Sequence, residues 1–178
     1  MIRYRFELAT ADDDQALREL LAETPMPGAI SVTFRREPSF FEAAVVDGRF
    51  RQIIIVRDRT TGQIVGLGSR SVRRMYTNGH ARPVGYLSGL RIRKQYRNAA
   101  ILARGYGFLR ELHCDGRAPL YLTTIAEGNE RAVALLTSRR AGLPSYHYVG
   151  KYCTFAVPLG RPHRLATKPD ETICVRRI

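Results

Sequence analysis

The chain has 178 residues, 44% of them hydrophobic and 25% charged, which suits one compact domain with a sizeable core and excludes two large domains, a disordered polymer or a collagen-like repeat. Its formal net charge is +13, from 26 arginines and three lysines against 16 acids, so the positive field is nearly independent of pH. Residues 90–178 carry 16 of the basic and only six of the acidic side chains; such a field favours nucleic acid, a phosphorylated cofactor, an acidic partner or an anionic membrane surface.

No apolar run approaches the roughly 20 residues of a membrane span, and the segment after Met1 alternates instead of forming a signal peptide. The cytoplasm is the expected compartment, with no membrane partner. Cys114, Cys153 and Cys174 are odd in number and lack C-x-x-C spacing, which points away from both a disulfide framework and a zinc knuckle. His80, His113, His147 and His163 show no i, i+4 pairing, so no metal site is expected.

In chain order, Ile2, Tyr4, Phe6 and Leu8 alternate with Arg3, Arg5 and Glu7, predicting a strand over residues 2–9. Thr10 to Asp14 opens a helix, with Asp12 and Gln15 in capping-box spacing and Ala16, Leu17, Leu20 and Leu21 on its apolar face. The three aspartates suit the positive helix end and need no functional role. After the break at Pro25, Pro27 and Gly28, Pro38–Val46 reads as a short helix with Phe41, Ala44 and Val45 inward. Strands follow at Arg51–Arg57, Gln63–Met75 and Val84–Ile92, the last two joined at Asn78-Gly79, which makes an antiparallel meander.

From Asn98 to His113 the period is helical, and Gly105 and Gly107 inside it suggest close packing against the sheet. Pro119–Ile125 is then a strand, Asn129–Arg140 a helix and Tyr146–Leu159 a closing strand or strand pair. The expected domain is 1–159. Gly160, Arg161, Pro162 and Pro169 read as a linker, and the alternation at Thr172–Arg176 as the start of a further domain.

Residues 87–112, LSGLRIRKQYRNAAILARGYGFLREL, carry the chemistry: a strand, a basic turn and a helix opening at its end. Unpaired amides and the macrodipole at such a helix start suit a phosphate, and Arg91, Arg93, Lys94 and Arg97 lie around it. A solvated basic strand end is the bland alternative. The run from Ile92 through Leu102 resembles the cofactor motif of the GNAT acetyltransferase superfamily. Asn129-Glu130-Arg131-Ala132 is similar to that superfamily's later N-x-x-A, and the element order agrees from residue 2 to about 159.

The resemblance implies a mixed, mostly antiparallel α/β (α+β) sheet with helices on both faces, and acetyl-CoA or another acyl-CoA as cosubstrate. Its pyrophosphate would sit on the amides of Arg97, Asn98, Ala99, Ala100, Ile101 and Leu102. Its pantetheine would pair with Leu90, Arg91 and Ile92, with Asn129 also contributing. Ala100 and Leu102 stand where the superfamily prefers glycine and a small residue, and Leu136 stands where many relatives have the tyrosine that protonates the leaving thiolate. Glu127 is the candidate base, and Tyr146 leads Tyr148 and Tyr106 as candidate acid.

The implied reaction is transfer of an acetyl group to an amine acceptor. Residues 24–40 and 145–152, with Phe34, Phe40 and Tyr146, and the adjoining Phe41 are expected to wall the acceptor cleft or to belong to the core. A catalytically silent acyl-CoA-binding module is the alternative, and a homodimer is left open. Nucleic acid ranks third among the readings, because the arginines are not interleaved with a stacking aromatic motif.

Overall fold

A computed structural model describes residues 3–25, 35–48, 50–139 and 142–153. Residues 1–148 form one compact unit and residues from Val149 onward belong to a second; the boundary expected at 159/160 lies outside the described residues, as do Ile2, Phe34, Cys174 and the alternation at Thr172–Arg176. In the first unit, β1 (Tyr4–Leu8) is followed by α1 (Asp14–Glu23), α2 (Phe40–Ala43), β2 (Phe50–Asp58), β3 (Ile64–Thr77), β4 (His80–Ile92), α3 (Ala99–His113), β5 (Tyr121–Leu122) and α4 (Glu130–Leu136). The five strands form one sheet in the order β1-β2-β3-β4-β5, antiparallel throughout except for the parallel β4–β5 pair.

Strand alternation explains why both faces of the sheet are covered. Ile53 and Ile55 point to the face where α1 lays Leu17, Leu20 and Leu21, joined by Phe40 of α2. The intervening parity carries Val56 to the opposite face, where Ile101 of α3 packs with Val65, Phe6, Ile92 and Tyr96. Each fully buried leucine of α1 contributes about 2 kcal/mol. At Gly105 α3 runs close to the sheet, where a Cβ would stand in van der Waals contact with the Phe6 ring at 3.4 Å. Gly107 has no such neighbour, because a Cβ would meet nothing within 4 Å.

The acidic run near residue 12 is structural. The Thr10 amide donates to Asp13 Oδ2 at 2.9 Å, two residues earlier than the cap expected from Asp12 and Gln15. Gln15 is diverted, donating to Glu19. Asp13 and Glu7 both hold Arg57, at 2.7 and 2.8 Å. Asp14 accepts from the Ser39 hydroxyl and the Phe40 amide, each at 2.8 Å, which draws α2 onto α1. That tether sets Phe40, 1% exposed, into the core, with the expected Ala44 also buried and the expected Phe41 partly buried against the same cluster.

Two elements are shorter than their sequence periods suggest. Only Tyr121 and Leu122 of the expected Pro119–Ile125 strand pair with β4, because the chain then diverges. α4 ends at Leu136, with Thr137 as its C-cap. Residues 146–153 carry no strand; they find no ladder partner among the described residues, and the rest of the expected closing strand lies outside them.

Candidate functional site

The site begins where β4 loses its second neighbour. Gly85 and Tyr86 pair with Tyr121 and Leu122, and the Thr123 hydroxyl then donates to the Leu87 carbonyl at 2.9 Å. The Tyr86 and Thr124 hydroxyls close the junction at 2.6 Å. Beyond it, from Ser88 to Ile92, β4 keeps a strand partner on the β3 side alone among the described residues. A slot therefore opens between the diverging strands.

Within this stretch Gly89 and Leu90 together face Gly68, a bulge between the Leu67–Arg91 and Ser69–Ser88 pairs. Gly89 takes φ +66°, a conformation that costs an L-residue roughly 1–2 kcal/mol. Past the bulge the Arg93 amide bonds to the Val65 carbonyl at 2.9 Å, so alternation turns the polar groups of Ile92 to the open edge. The Ile92 and Leu90 carbonyls are met there by guanidinium groups, of Arg97 at 3.0 Å and Arg91 at 2.9 Å.

A 3-10 turn over Lys94–Tyr96 leads into α3. Asn98 is the N-cap, its side-chain oxygen accepting from the Ile101 amide at 2.8 Å, and the Arg97 amide closes on Lys94. Of the amides that a helix leaves open at its start, those of Asn98, Ala99 and Ala100 remain for a ligand. Ile101 and Leu102 are 2% and 5% exposed. Leu102 thus turns into the core, and its bulk leaves the helix mouth clear. Ala100 is exposed.

The four basic residues of the turn are not equivalent. Arg93 is engaged by other groups, donating to the Ile64 carbonyl at 3.1 Å and pairing with Glu23 of α1. Arg91 and Arg97 stay together without a carboxylate partner among the described residues. Burial, and secondarily the charge of Arg97, push the Arg91 guanidinium below its ordinary pKa. Arg91 Nε is buried and makes no hydrogen bond among the described residues. Two like charges held side by side, one with an unsatisfied donor, favour an anion between them.

The other predicted residues lie on separate elements. Asn129 caps α4, accepting from the Ala132 amide at 3.2 Å. Glu127 is exposed on the loop from β5 to α4 and has an interaction of its own. Tyr146 shares a 2.7 Å hydroxyl contact with Tyr106 of α3; burial, then that contact, push the Tyr106 hydroxyl well above the usual tyrosine range. Tyr148 is 83% exposed and Leu136 is buried. Phe40 belongs to the core, whereas Phe41 lines a pocket of about 370 Å³ with Leu8, Ala9, Phe50, Arg51, Gln52 and Ile53. Arg51, Ser71 and Tyr86 share one row across the sheet, so this pocket lies level with the junction where the slot begins.

A polar cluster around one buried arginine, which the sequence reading missed, fixes that junction. Arg70, fully buried in β3, donates to both oxygens of Asp115 at 2.7 and 2.8 Å, to Gln52 at 2.6 Å and to the Tyr121 hydroxyl at 2.8 Å. His113 Nδ1 also lies 3.2 Å from that hydroxyl. The signal was present: an arginine inside the otherwise uncharged run from Gln63 to Val72 must be paired if the strand is central. Among the described residues no three His, Cys, Asp or Glu side chains gather to hold a metal ion, and no helix is long and apolar enough to cross a membrane.

No protein-family model and no curated protein sequence matches the chain. Solved structures do. An acetyltransferase from Trypanosoma brucei is 18% identical with a TM-score of 0.61, over 86% of this chain and 99% of that one. Glucosamine-6-phosphate N-acetyltransferase from Arabidopsis thaliana is 14% identical with a TM-score of 0.60, over 87% and 100%. An aminoglycoside 6'-acetyltransferase in complex with a bisubstrate analogue of CoA is 13% identical with a TM-score of 0.62, over 87% and 100%. With its five-stranded, mostly antiparallel sheet, helices on both faces and parting β4 and β5, the chain has the fold of the GNAT N-acetyltransferases.

Proposed function

We propose that the protein is an acyl-CoA-dependent N-acyltransferase that moves an acetyl group directly from acetyl-CoA to an amine. The observation that carries this reading is the open edge of β4 beyond the Gly89 bulge, running straight into the α3 start, with Arg91 and Arg97 beside it and no carboxylate among the described residues to neutralise them. CoA matches these features in order. Its pantetheine has amides that can add to a free strand edge, and its diphosphate suits open helix amides and paired guanidinium groups.

In this reading Leu90, Arg91 and Ile92 present the strand edge, with Arg97 releasing the Ile92 carbonyl as it turns to a phosphate. The amides of Asn98, Ala99 and Ala100 hold the diphosphate. Ile101 and Leu102 anchor the helix in the core, and Asn129 positions the start of α4. Acetyl-CoA supplies the thioester carbonyl that the amine attacks. Glu127 accepts the proton that the amine loses, directly or through water, and Tyr146, oriented by Tyr106, donates one to the departing sulfur. Holding the two substrates together contributes several kcal/mol more. The acceptor enters from the pocket at Phe41 and Phe50. The buried Leu136, in place of a tyrosine, favours a silent acyl-CoA-binding module as the second reading.

Thermal unfolding with acetyl-CoA tests both. Ligand at 100 times its dissociation constant adds about 2.7 kcal/mol, which for a chain of this size raises the midpoint by roughly 5–11 °C. Arg91→Gln with Arg97→Gln should abolish the rise. No rise in the parent protein overturns both readings. Release of free thiol with a panel of amines, lost in Glu127→Gln, supports catalysis. A full thermal rise with no thiol released from any amine leaves the silent module.

A further inference from the structure

The β3–β4 hairpin runs on past the sheet. β2 leaves β3 at the Phe50–Val72 pair and β5 reaches β4 no earlier than Gly85. Arg73–Thr77 and His80–Val84 therefore pair only with each other among the described residues, as a two-stranded ribbon closed by Asn78-Gly79. Paired residues share a face. Arg74, Tyr76, Ala81 and Pro83 lie on one side, and Arg73, Met75, His80 and Arg82 on the other.

Arg73, Arg74 and Arg82 are exposed, and Tyr76 is 68% exposed. Arg73 lies over the Tyr86 ring and Arg74 reaches the Ala81 carbonyl; no carboxylate among the described residues pairs with any of the three. The sequence explains why: Arg59 to Arg110 contains eleven basic residues and not one Asp or Glu. A lone ribbon is marginally stable, and unneutralised like charges on it lower its stability further. The arrangement is better matched to a ligand than to the fold.

We propose that this ribbon binds single-stranded nucleic acid, with Arg73, Arg74 and Arg82 on backbone phosphates and a base stacked on Tyr76. The planar guanidinium fork fits a phosphate, and an exposed ring flanked by arginine is a stacking platform indifferent to base identity. Arginines on both faces suit a flexible strand that can wrap the ribbon; a rigid duplex offers its phosphates to one face at a time. The tip, Thr77 to His80, has no apolar residue to enter a membrane. Strand alternation sets Tyr76 on the same side of the ribbon as Arg74, two residues away. This surface is independent of the acyl-CoA reading.

The test is fluorescence anisotropy of the full chain with a labelled twelve-nucleotide oligothymidylate, titrated from about 50 to about 200 mM salt. Binding should weaken with salt. The triple variant Arg73→Gln, Arg74→Gln, Arg82→Gln should lose at least tenfold in affinity and flatten the logarithmic salt slope by about 2, from three phosphate contacts at roughly 0.7 each. The matching arginine-to-lysine triple should restore the slope. Tyr76→Ala should weaken binding at least fivefold and leave the slope unchanged. Failure to bind at the lowest salt overturns the proposal. So does tighter binding of a twelve-base-pair duplex, of polyglutamate or of phosphatidylserine vesicles, or parent-like affinity in Tyr76→Ala.

Discussion

Replacing Gly85 by alanine should strike the junction that defines the slot. A Cβ at Gly85 would stand 2.2 Å from Tyr121 Cδ1 and 3.0 Å from its Cγ, so the ring would have to leave with its strand. The ring is not free to swing aside. Its hydroxyl receives the Arg70 Nε–H at 2.8 Å and faces His113 Nδ1 at 3.2 Å, and its backbone is paired with Gly85 itself. Overpacking of this kind costs about 1–3 kcal/mol, and losing a hydrogen bond from a buried guanidinium about 1.5–3 kcal/mol. We expect a loss of about 3 kcal/mol, seen as a drop of roughly 6–12 °C in the unfolding midpoint. Circular dichroism melts of Gly85→Ala, Tyr121→Ala and the double variant form a cycle. With the ring gone, alanine at 85 should cost less than about 0.5 kcal/mol. An unchanged cost in the Tyr121→Ala background would refute the steric argument, and so would a single variant as stable as the parent.

Two further outcomes follow from the same geometry. Gly89→Val forces a branched side chain into φ +66° and should cost about 1–3 kcal/mol in urea unfolding, with a smaller acetyl-CoA-induced thermal rise than the parent shows. Asp115 is held below the usual carboxylate range chiefly by its hydrogen bonds from Arg70. Its contribution is therefore fully present above the unfolded value near 3.9 and fades as pH falls through the lower folded value. Urea midpoints of the parent and Asp115→Asn should differ at pH 7 and about equally at pH 5, then converge as the pH is taken below 3; a gap that widens on acidification would contradict the pairing.

Much of this architecture was legible because local signals and tertiary packing agree. Leu17, Leu20 and Leu21 keep helical spacing and all reach the core, and Asn78-Gly79 forms the expected hairpin turn. The α3 boundary was visible because Asn98 is an effective cap. What failed depends on partners distant in sequence. Nothing near Phe40 shows that Asp14 will turn that residue inward, and nothing in Pro119–Ile125 shows that β4 will release it after two residues. At the site, the basic turn was readable, but its division was not: Arg93 is claimed by Glu23, seventy residues away, while Arg91 and Arg97 are left together. The lysine-poor, arginine-rich composition did not distinguish the buried Arg70 from the exposed Arg74, since burial is set by which strands flank each one.

The union of β4 with β5 rests on two residue rows, whereas β2 and β3 share eight. Resistance to separation is therefore graded across the sheet. The meander acts as a stiff frame, and the fork can spread by giving up a handful of bonds without unravelling anything else. A long, flexible guest could thread such a fork from its wide end, and the Arg70–Tyr121 clasp would set how far the prongs yield.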